Sequence, residues 1–479
     1  MKTLKYFVIG ALMIGFAAPA VAQEDHSAVI KQITNVIKSK APNVESEVKN
    51  VVKANKKNAD VLTAIGRAYF DVRDLDKAAT YADMAVKRDK TYGDAYVLMG
   101  DIQVLKDDGG AASSWFEQAI YFDPKNPEGY RRYAQINSKT SPSASIAKLE
   151  DLRAQRPDYP VDIIAAEIYH SASKDNPSLI DKAIQYYDKV DKSKMEASNL
   201  VNYSLDHFLK GNFEKSLSIS EYGNQKFARN AALNRLTFFN HTNLKNYDKA
   251  LEYADRLFNK SDSAKISSSD YLYYGYAYLG NDQYDNAIEM YTKSLNAEES
   301  KESDRIDALK NISTAYQKKG DINNAVATYD KYLKAKPQVT AADMGSLATM
   351  WQQHARSLEG DEKVEALGKA DAVWAEIAEK FPSVAHVAYN NRARIAVSLD
   401  PESAEGKAKP YYEKVAQLLA DKTDRSANET KYLVEAYHYL GAYYTIVVND
   451  KEQGDIYWRK MLDIDPENAT AKTALGLDE

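Results

Sequence analysis

"YLYYGYAYLGNDQYDNAIEMYTKSL", residues 271–295, opens with five tyrosines in eight positions. Among the rings stand Gly275 and Ala287, and Tyr291 follows Ala287 by four residues. Small residues at this spacing suit the close crossing of two antiparallel helices, with large aromatics filling the gaps beside them. A single helix pair cannot bury both of its faces, so the stretch predicts neighbours of the same kind.

Those neighbours are present. Gly66, Ala78 and Ala85 recur 34 residues on as Gly100, Ala112 and Ala119. In a second register Ala112, Phe116 and Pro124 reappear with identical spacing as Ala325, Tyr329 and Pro337, and as Ala370, Trp374 and Pro382. Gly454, Trp458 and Pro466 repeat the pattern near the C-terminus. The segments "FDPKNPEGY" and "IDPENATAK" close two units with the same Asp-Pro turn, where proline stops one helix and helps start the next.

This pattern resembles the tetratricopeptide repeat (TPR) family, which implies an all-α fold: a TPR-like α-solenoid, a superhelix of antiparallel helix pairs. Residues 59–92, 93–126, 268–301, 306–339 and 435–468 carry most of the consensus. Worn units lie between them; 127–160 has "NSKTSPSAS" for a turn, and 231–264 has Phe238 where a small residue is expected. Residues 23–58 read as an N-terminal helical cap, 59–340 as the solenoid proper, and 341–479 as C-terminal TPR-like repeats.

The first 22 residues stand apart. Lys2 and Lys5 precede an apolar run from Tyr6 to Ala18, and Ala20-Val21-Ala22 supplies an A-x-A cleavage pattern, so 1–22 reads as a cleaved signal peptide. The expected mature chain has no integral membrane segment, and removal of two lysines takes the formal charge from −6 to −8. Cysteine is absent from the whole sequence, which excludes disulfides and thiolate metal sites. Export without thiols suggests the periplasm, or secretion. Scattered charge without a basic stripe argues against nucleic acid as a partner.

Placing the opening segment on the repeat puts Tyr271, Tyr274 and Tyr278 on the packing face and turns Tyr273 and Tyr276 to the concave surface. The same register puts Arg67, Phe70, Asp101, Val104, Arg235, Phe239, Lys310, Asn311, Tyr439 and Tyr443 on that surface. Rings mixed with isolated charges suit an extended peptide or a partner helix laid in a groove. One subset of the resembled family grips a peptide carboxylate with lysines and asparagines; Lys310 and Asn311 sit at suitable places, but Thr314 replaces an expected asparagine. That clamp is not expected here.

Seven histidines are dispersed singly, and no H-E-x-x-H, G-x-S-x-G, G-x-x-x-x-G-K or G-x-G-x-x-G occurs. No catalytic residue, metal or cofactor is expected. His207 and His241, 34 apart in the place tyrosine usually takes, read as packed core residues. The expected function is a non-catalytic, exported scaffold or adaptor for protein partners, in keeping with assembly of a cell-envelope complex. A carbohydrate-binding protein is the alternative, because exposed tyrosines can stack on sugar rings. On the division of the tyrosines, Tyr278→Ala should lower the melting temperature far more than Tyr276→Ala, since a buried ring is worth roughly 3–5 kcal/mol and a surface change within roughly 0.5.

Overall fold

A computed structural model describes residues 26–477, and every regular element among them is a helix. The expected signal segment, residues 1–22, lies outside the described residues. The chain divides into two compact units, 1–212 and 213–479.

The first unit begins with α1 (Ser27–Lys38) and α2 (Val44–Asn55), followed by α3 (Ala59–Asp71), α4 (Leu75–Arg88), α5 (Gly93–Leu105) and α6 (Gly109–Phe122). It continues with α7 (Pro127–Asn137), α8 (Pro142–Gln155), α9 (Val161–Ser173), α10 (Ile180–Tyr187) and α11 (Ala197–Leu209). The second unit holds α12 (Phe213–Lys226), α13 (Ala231–Asn243), α14 (Tyr247–Asp255), α15 (Ser268–Gly280), α16 (Tyr284–Asn296), α17 (Glu302–Lys319) and α18 (Ile322–Ala335). After these come α19 (Ala341–Ala355), α20 (Gly360–Lys380), α21 (Ala385–Leu399), α22 (Lys409–Leu419), α23 (Ala427–Ala442), α24 (Lys451–Leu462) and α25 (Ala469–Leu475). Within each unit consecutive helices pack as antiparallel neighbours, the arrangement of an α-solenoid.

Local chemistry sets where the helices stop and start. The turn inside a pair uses one left-handed residue followed by a cap: Arg73 (φ 67°), Asp107 (φ 62°) and Gly320 (φ 87°) precede Asp74, Asp108 and Asp321. Each of these aspartates accepts a hydrogen bond from a backbone N–H of the next helix. The acidic pair Asp107-Asp108 is thereby a backbone device. In the other kind of turn, Ser267 with Asp270, Thr340 with Asp343 and Ser426 with Glu429 form reciprocal capping boxes that open α15, α19 and α23. Within the stretch "NSKTSPSAS", residues 137–145, Pro142 is the first residue of α8, where a missing N–H costs nothing.

At several crossings a large ring from the second helix covers a small residue on the first, while at Gly66 the space is taken by Leu98 of the next pair. A Cβ built on Gly100 would lie 2.3 Å from the ring of Phe116, and one on Gly275 would lie 2.4 Å from the ring of Tyr291. Both rings are fully buried. Trp374 on the long α20 covers Gly345 of α19 less tightly, its ring 3.3 Å from where a Cβ would stand. At 231–264 the sizes are exchanged: Phe238 on α13 is fully buried against Ala250, Ala254 and Leu257, so Ala254 stands where other pairs carry the ring. The unit called worn at this point is an inverted copy, in which the volume is conserved but its owner differs.

At the N-terminal end α1 and α2 lay Ile33, Ile37 and Val48 against Val61, Ile65 and Ala68. His26 adds a 2.8 Å contact to Asp60 across the start of α3.

Two substitutions probe the crossing. Gly275→Ala forces a methyl into the Tyr291 ring and should destabilise the second unit by about 1–3 kcal/mol. Phe238→Ala should cost about 3–5 kcal/mol. Denaturant melts of both variants check this, and a neutral Phe238→Ala would refute the inverted pair.

Candidate functional site

The first helices of successive pairs face one another, and the residues that meet are close to one repeat period apart in sequence. In the first unit Arg67 on α3 donates to the Asp101 carboxylate on α5 at 2.5 Å, and Arg132 on α7 stands 3.4 Å from the second oxygen. Asn199 on α11 donates to Glu167 on α9 at 2.6 Å, while His170 on α9 meets Asp206 on α11 at 2.7 Å. Burial raises the Asp206 carboxyl above its ordinary range, and the bond to His170 opposes that rise. In the second unit Arg235 on α13 grips Asp270 on α15 with two donors at 2.6 and 3.0 Å. Ser268 on α15 donates to Asp304 on α17 at 2.6 Å.

These bridges change the assignment of three residues. Arg67, Asp101 and Arg235, expected from their register to meet a partner, are bonded to their own chain. Asp101 is 6% exposed and Asp270 fully buried, so neither carboxylate is open to a ligand. The reason is geometric: opposite charges one period apart on adjacent first helices are brought face to face. Phe70 is half-buried beneath the Arg67 guanidinium, 5.4 Å from it, and Val104 is half-buried against the cluster of Tyr96 and Phe116.

The opening tyrosines do not separate into structural and spare sets, because all five are half-buried. Tyr274 and Tyr278 stack at 4.7 Å with their hydroxyls 3.2 Å apart, and Tyr271 meets Phe258 edge to face at 5.3 Å. Tyr273 stacks on Phe239 of α13 at 3.8 Å, and Tyr276 and Tyr273 meet in a T-shaped pair at 5.7 Å. Tyr276 also touches Tyr291 at 5.7 Å. Tyr273 and Tyr276, three apart on one helix, share a face. The neighbouring first helices cover part of that face, which is why neither ring is simply exposed. Burial pushes the Tyr276 hydroxyl well above the usual tyrosine range, while Asn311 on α17 opposes that shift by hydrogen bonding. Lys310 is exposed and Asn311 half-buried. Phe239, Tyr273 and Tyr276 therefore form one continuous aromatic strip across α13 and α15, with Asn243 reaching the Tyr273 hydroxyl at 3.5 Å.

Tyr439 and Tyr443 are displaced from their expected place by one residue of chain. Gly441, rather than Ala442, is the small residue at the last crossing, under Trp458. These two are 17 apart, against 16 for Gly100 and Phe116 or Gly275 and Tyr291. The extra residue is absorbed by a π-helical turn at Tyr443–Val447, which rotates what precedes it relative to the expected register. Tyr439 consequently packs on Tyr412 of α22 at 4.8 Å and stacks with Tyr443 at 6.1 Å. The Tyr443 hydroxyl lies over Gly406, 2.6 Å from where a Cβ would stand. One residue earlier, His438 and Ala442 take the places expected for the two tyrosines, and His438 lines, with Glu435, Val434, Met461 and Ile464, an open cleft of about 640 Å³. Arg394 and Tyr412 both donate to Glu435, at 2.8 and 2.9 Å.

His207 and His241 are both buried, at 7% and 5% exposure, and burial lowers His241 below the ordinary histidine range. Among the described residues no group of three or more histidines and carboxylates is placed to hold a metal ion, and no helix is long and apolar enough to cross a membrane.

Stacked helix pairs with rings and polar bridges along their first helices define an α-solenoid of the protein-interaction type. The Tetratricopeptide repeat profile matches residues 271–301 and 306–339. The chain is 30% identical over 118 residues to the photosystem I assembly protein Ycf3 of Prochlorococcus marinus strain SARG, a match spanning 23% of this chain and 67% of that protein. The C-terminal part of a TPR repeat-containing protein from Cytophaga hutchinsonii is 25% identical, with a TM-score of 0.46 over 57% of this chain and 99% of that one. A tetratricopeptide repeat protein from Parabacteroides merdae is 15% identical, with a TM-score of 0.35 over 54% of this chain and 98% of that one. The chain belongs to the tetratricopeptide repeat family. Proteins of this family bind protein or peptide partners and are in general non-catalytic scaffolds.

The half-burial of all five tyrosines alters the expected mutational contrast. Tyr276→Ala and Tyr278→Ala should each cost roughly 2–4 kcal/mol in a denaturant melt, because each removes a ring packed on others. A Tyr276→Ala variant as stable as the parent would restore the division into structural and spare rings.

Proposed function

We propose that this protein is an exported, non-catalytic scaffold that holds a protein partner against the first helices of its second unit, in the service of assembling a cell-envelope complex. The observation that carries this reading is the strip of Phe239, Tyr273 and Tyr276, which the chain itself covers only in part. Aromatic residues with a half-dry face and polar neighbours make the strongest anchors at protein interfaces, since a partner completes their burial while the ordering cost is already met. Asn243, Asn311 and Lys310 stand beside the strip as donors that fix the orientation of a bound chain.

Export is read from Lys2, Lys5, the apolar run Tyr6 to Ala18 and the small residues Ala20 to Ala22, which supports work in the periplasm, with secretion as the alternative. The assembly role draws support from the relative at 30% identity, itself an assembly protein by name.

The mature protein, immobilised and exposed to envelope extract, should recover a defined set of partners. The double variant Phe239→Ala/Tyr273→Ala should recover at least about tenfold less, given hot-spot losses of 2 kcal/mol or more. Unchanged recovery from a folded double variant would exclude the strip as the binding surface. A specific glycan bound on an array, with no protein recovered, would replace the scaffold by a sugar-binding protein.

A further inference from the structure

Two bridges of the second unit match one guanidinium to one carboxylate. Arg235 grips Asp270 with two donors at 2.6 and 3.0 Å, and Arg394 grips Glu435 with two at 2.8 and 2.5 Å. Asp101 on α5 departs from that count, because Arg67 of α3 and Arg132 of α7 reach it from the two flanking first helices, at 2.5 and 3.4 Å. Two cations converge on one buried anion.

The nearest second carboxylate does not make up the difference. Glu128 stands 4.0 Å from Arg132, but Arg131 holds it through Nε and Nη2 at 3.0 and 2.7 Å. Among the described residues Arg67 makes one hydrogen bond, to Asp101, and Arg132 makes none. The two arginine side chains keep 35% and 32% of their surface open, against 7% for Asp101, so what faces outward is cationic.

The arrangement is fixed before anything binds. Asp101 takes the Nη1 donor of Arg67, and the ring of Phe70 lies 5.4 Å from the centre of the guanidinium. A guanidinium rested on a ring and tethered along one edge presents its remaining N–H groups in a set direction, which lowers the ordering cost of meeting a planar acceptor. Phe70 and Val104, three residues after Arg67 and Asp101 and both half-buried, extend an apolar rung one helical turn along the same face.

We propose that Arg67 and Arg132, positioned by Asp101, dock an aspartate or glutamate side chain of a protein partner, with Phe70 and Val104 receiving an apolar side chain beside it. A second carboxylate laid over the pair restores one anion per guanidinium and accepts from N–H groups that Asp101 does not engage. The arginines come from helices on either side of α5, so a segment crossing all three passes over the site and offers a side chain rather than its terminus. The site stands in the first unit and uses no residue of the aromatic strip; it extends the scaffold reading without depending on that strip.

Calorimetry at low salt on the full mature chain tests this, with acetylated, amidated hexaglutamate as the probe. Equally capped hexalysine controls for sign, and acetylated tetra-alanine with a free C-terminal carboxylate controls for a chain terminus. Hexaglutamate should bind and neither control should. Arg132→Gln should weaken hexaglutamate about tenfold, equivalent to roughly 1.4 kcal/mol, and Arg67→Gln should weaken it by a similar factor. Each variant leaves Asp101 one arginine, so thermal melts should stay close to that of the parent. Lys87→Gln, which removes an exposed cation on the second helix α4, should change nothing. Absence of hexaglutamate binding by the parent, undiminished binding in both arginine variants, or an equal loss in Lys87→Gln would overturn the proposal. Tighter binding of the free-terminus peptide than of hexaglutamate would overturn the choice of a side-chain carboxylate. Phe239→Ala/Tyr273→Ala should retain hexaglutamate binding whatever its partner recovery, which separates failure of this site from failure of the strip.

Discussion

The space at a helix crossing accommodates one large ring and no more. Three crossings, at Gly100, Gly275 and Ala254, show that constraint directly. Where Gly100 or Gly275 leaves the space open, Phe116 or Tyr291 enters from the opposite helix; where Ala254 leaves it open, Phe238 enters from the other side. Interiors pack at crystal-like density, so the summed volume is specified more tightly than the identity at either position. The same reasoning explains why residues 231–264 look eroded against a consensus and yet bury their ring completely.

Once each pair is closed from within, adjacent pairs must still be held in register. Here the chain uses polar bridges between first helices, including Arg67 with Asp101, His170 with Asp206, and Arg235 with Asp270. Buried or half-buried bridges of this kind contribute modestly in net terms, but removing one member leaves an uncompensated charge and costs several kcal/mol. They therefore act against slippage more than toward raw stability. In the second unit, what remains for function is the part of the first-helix surface that the chain covers only in part: the aromatic strip on α13 and α15.

The helical fold was legible because the small residues and rings that recur along the chain are also the ones that meet: Gly100 and Phe116, like Gly275 and Tyr291, stand 16 apart and touch at a crossing. The ladder between first helices was equally legible in principle, since Arg67 and Asp101, or Arg235 and Asp270, are opposite charges about one period apart. Taken singly, the register of each residue points to the concave surface; only the pair shows the bridge. Tyr439 and Tyr443 were beyond reach for a different reason: a single inserted residue, taken up in a π-helical turn, leaves the hydrophobic pattern almost intact while rotating the face. Half-burial of Tyr273 and Tyr276 depends on α13 and α17, elements some 35 residues away on either side, and no local pattern encodes it.

The exchange of ring and small residue offers the most direct test of the constraint. Gly275→Phe combined with Tyr291→Ala would copy into α15 and α16 the arrangement that Phe238 and Ala254 adopt. If one ring per crossing is the rule, each single variant is strongly destabilised and the double variant recovers more than about 1 kcal/mol relative to their sum in denaturant melts. Strict additivity of the two losses would contradict it.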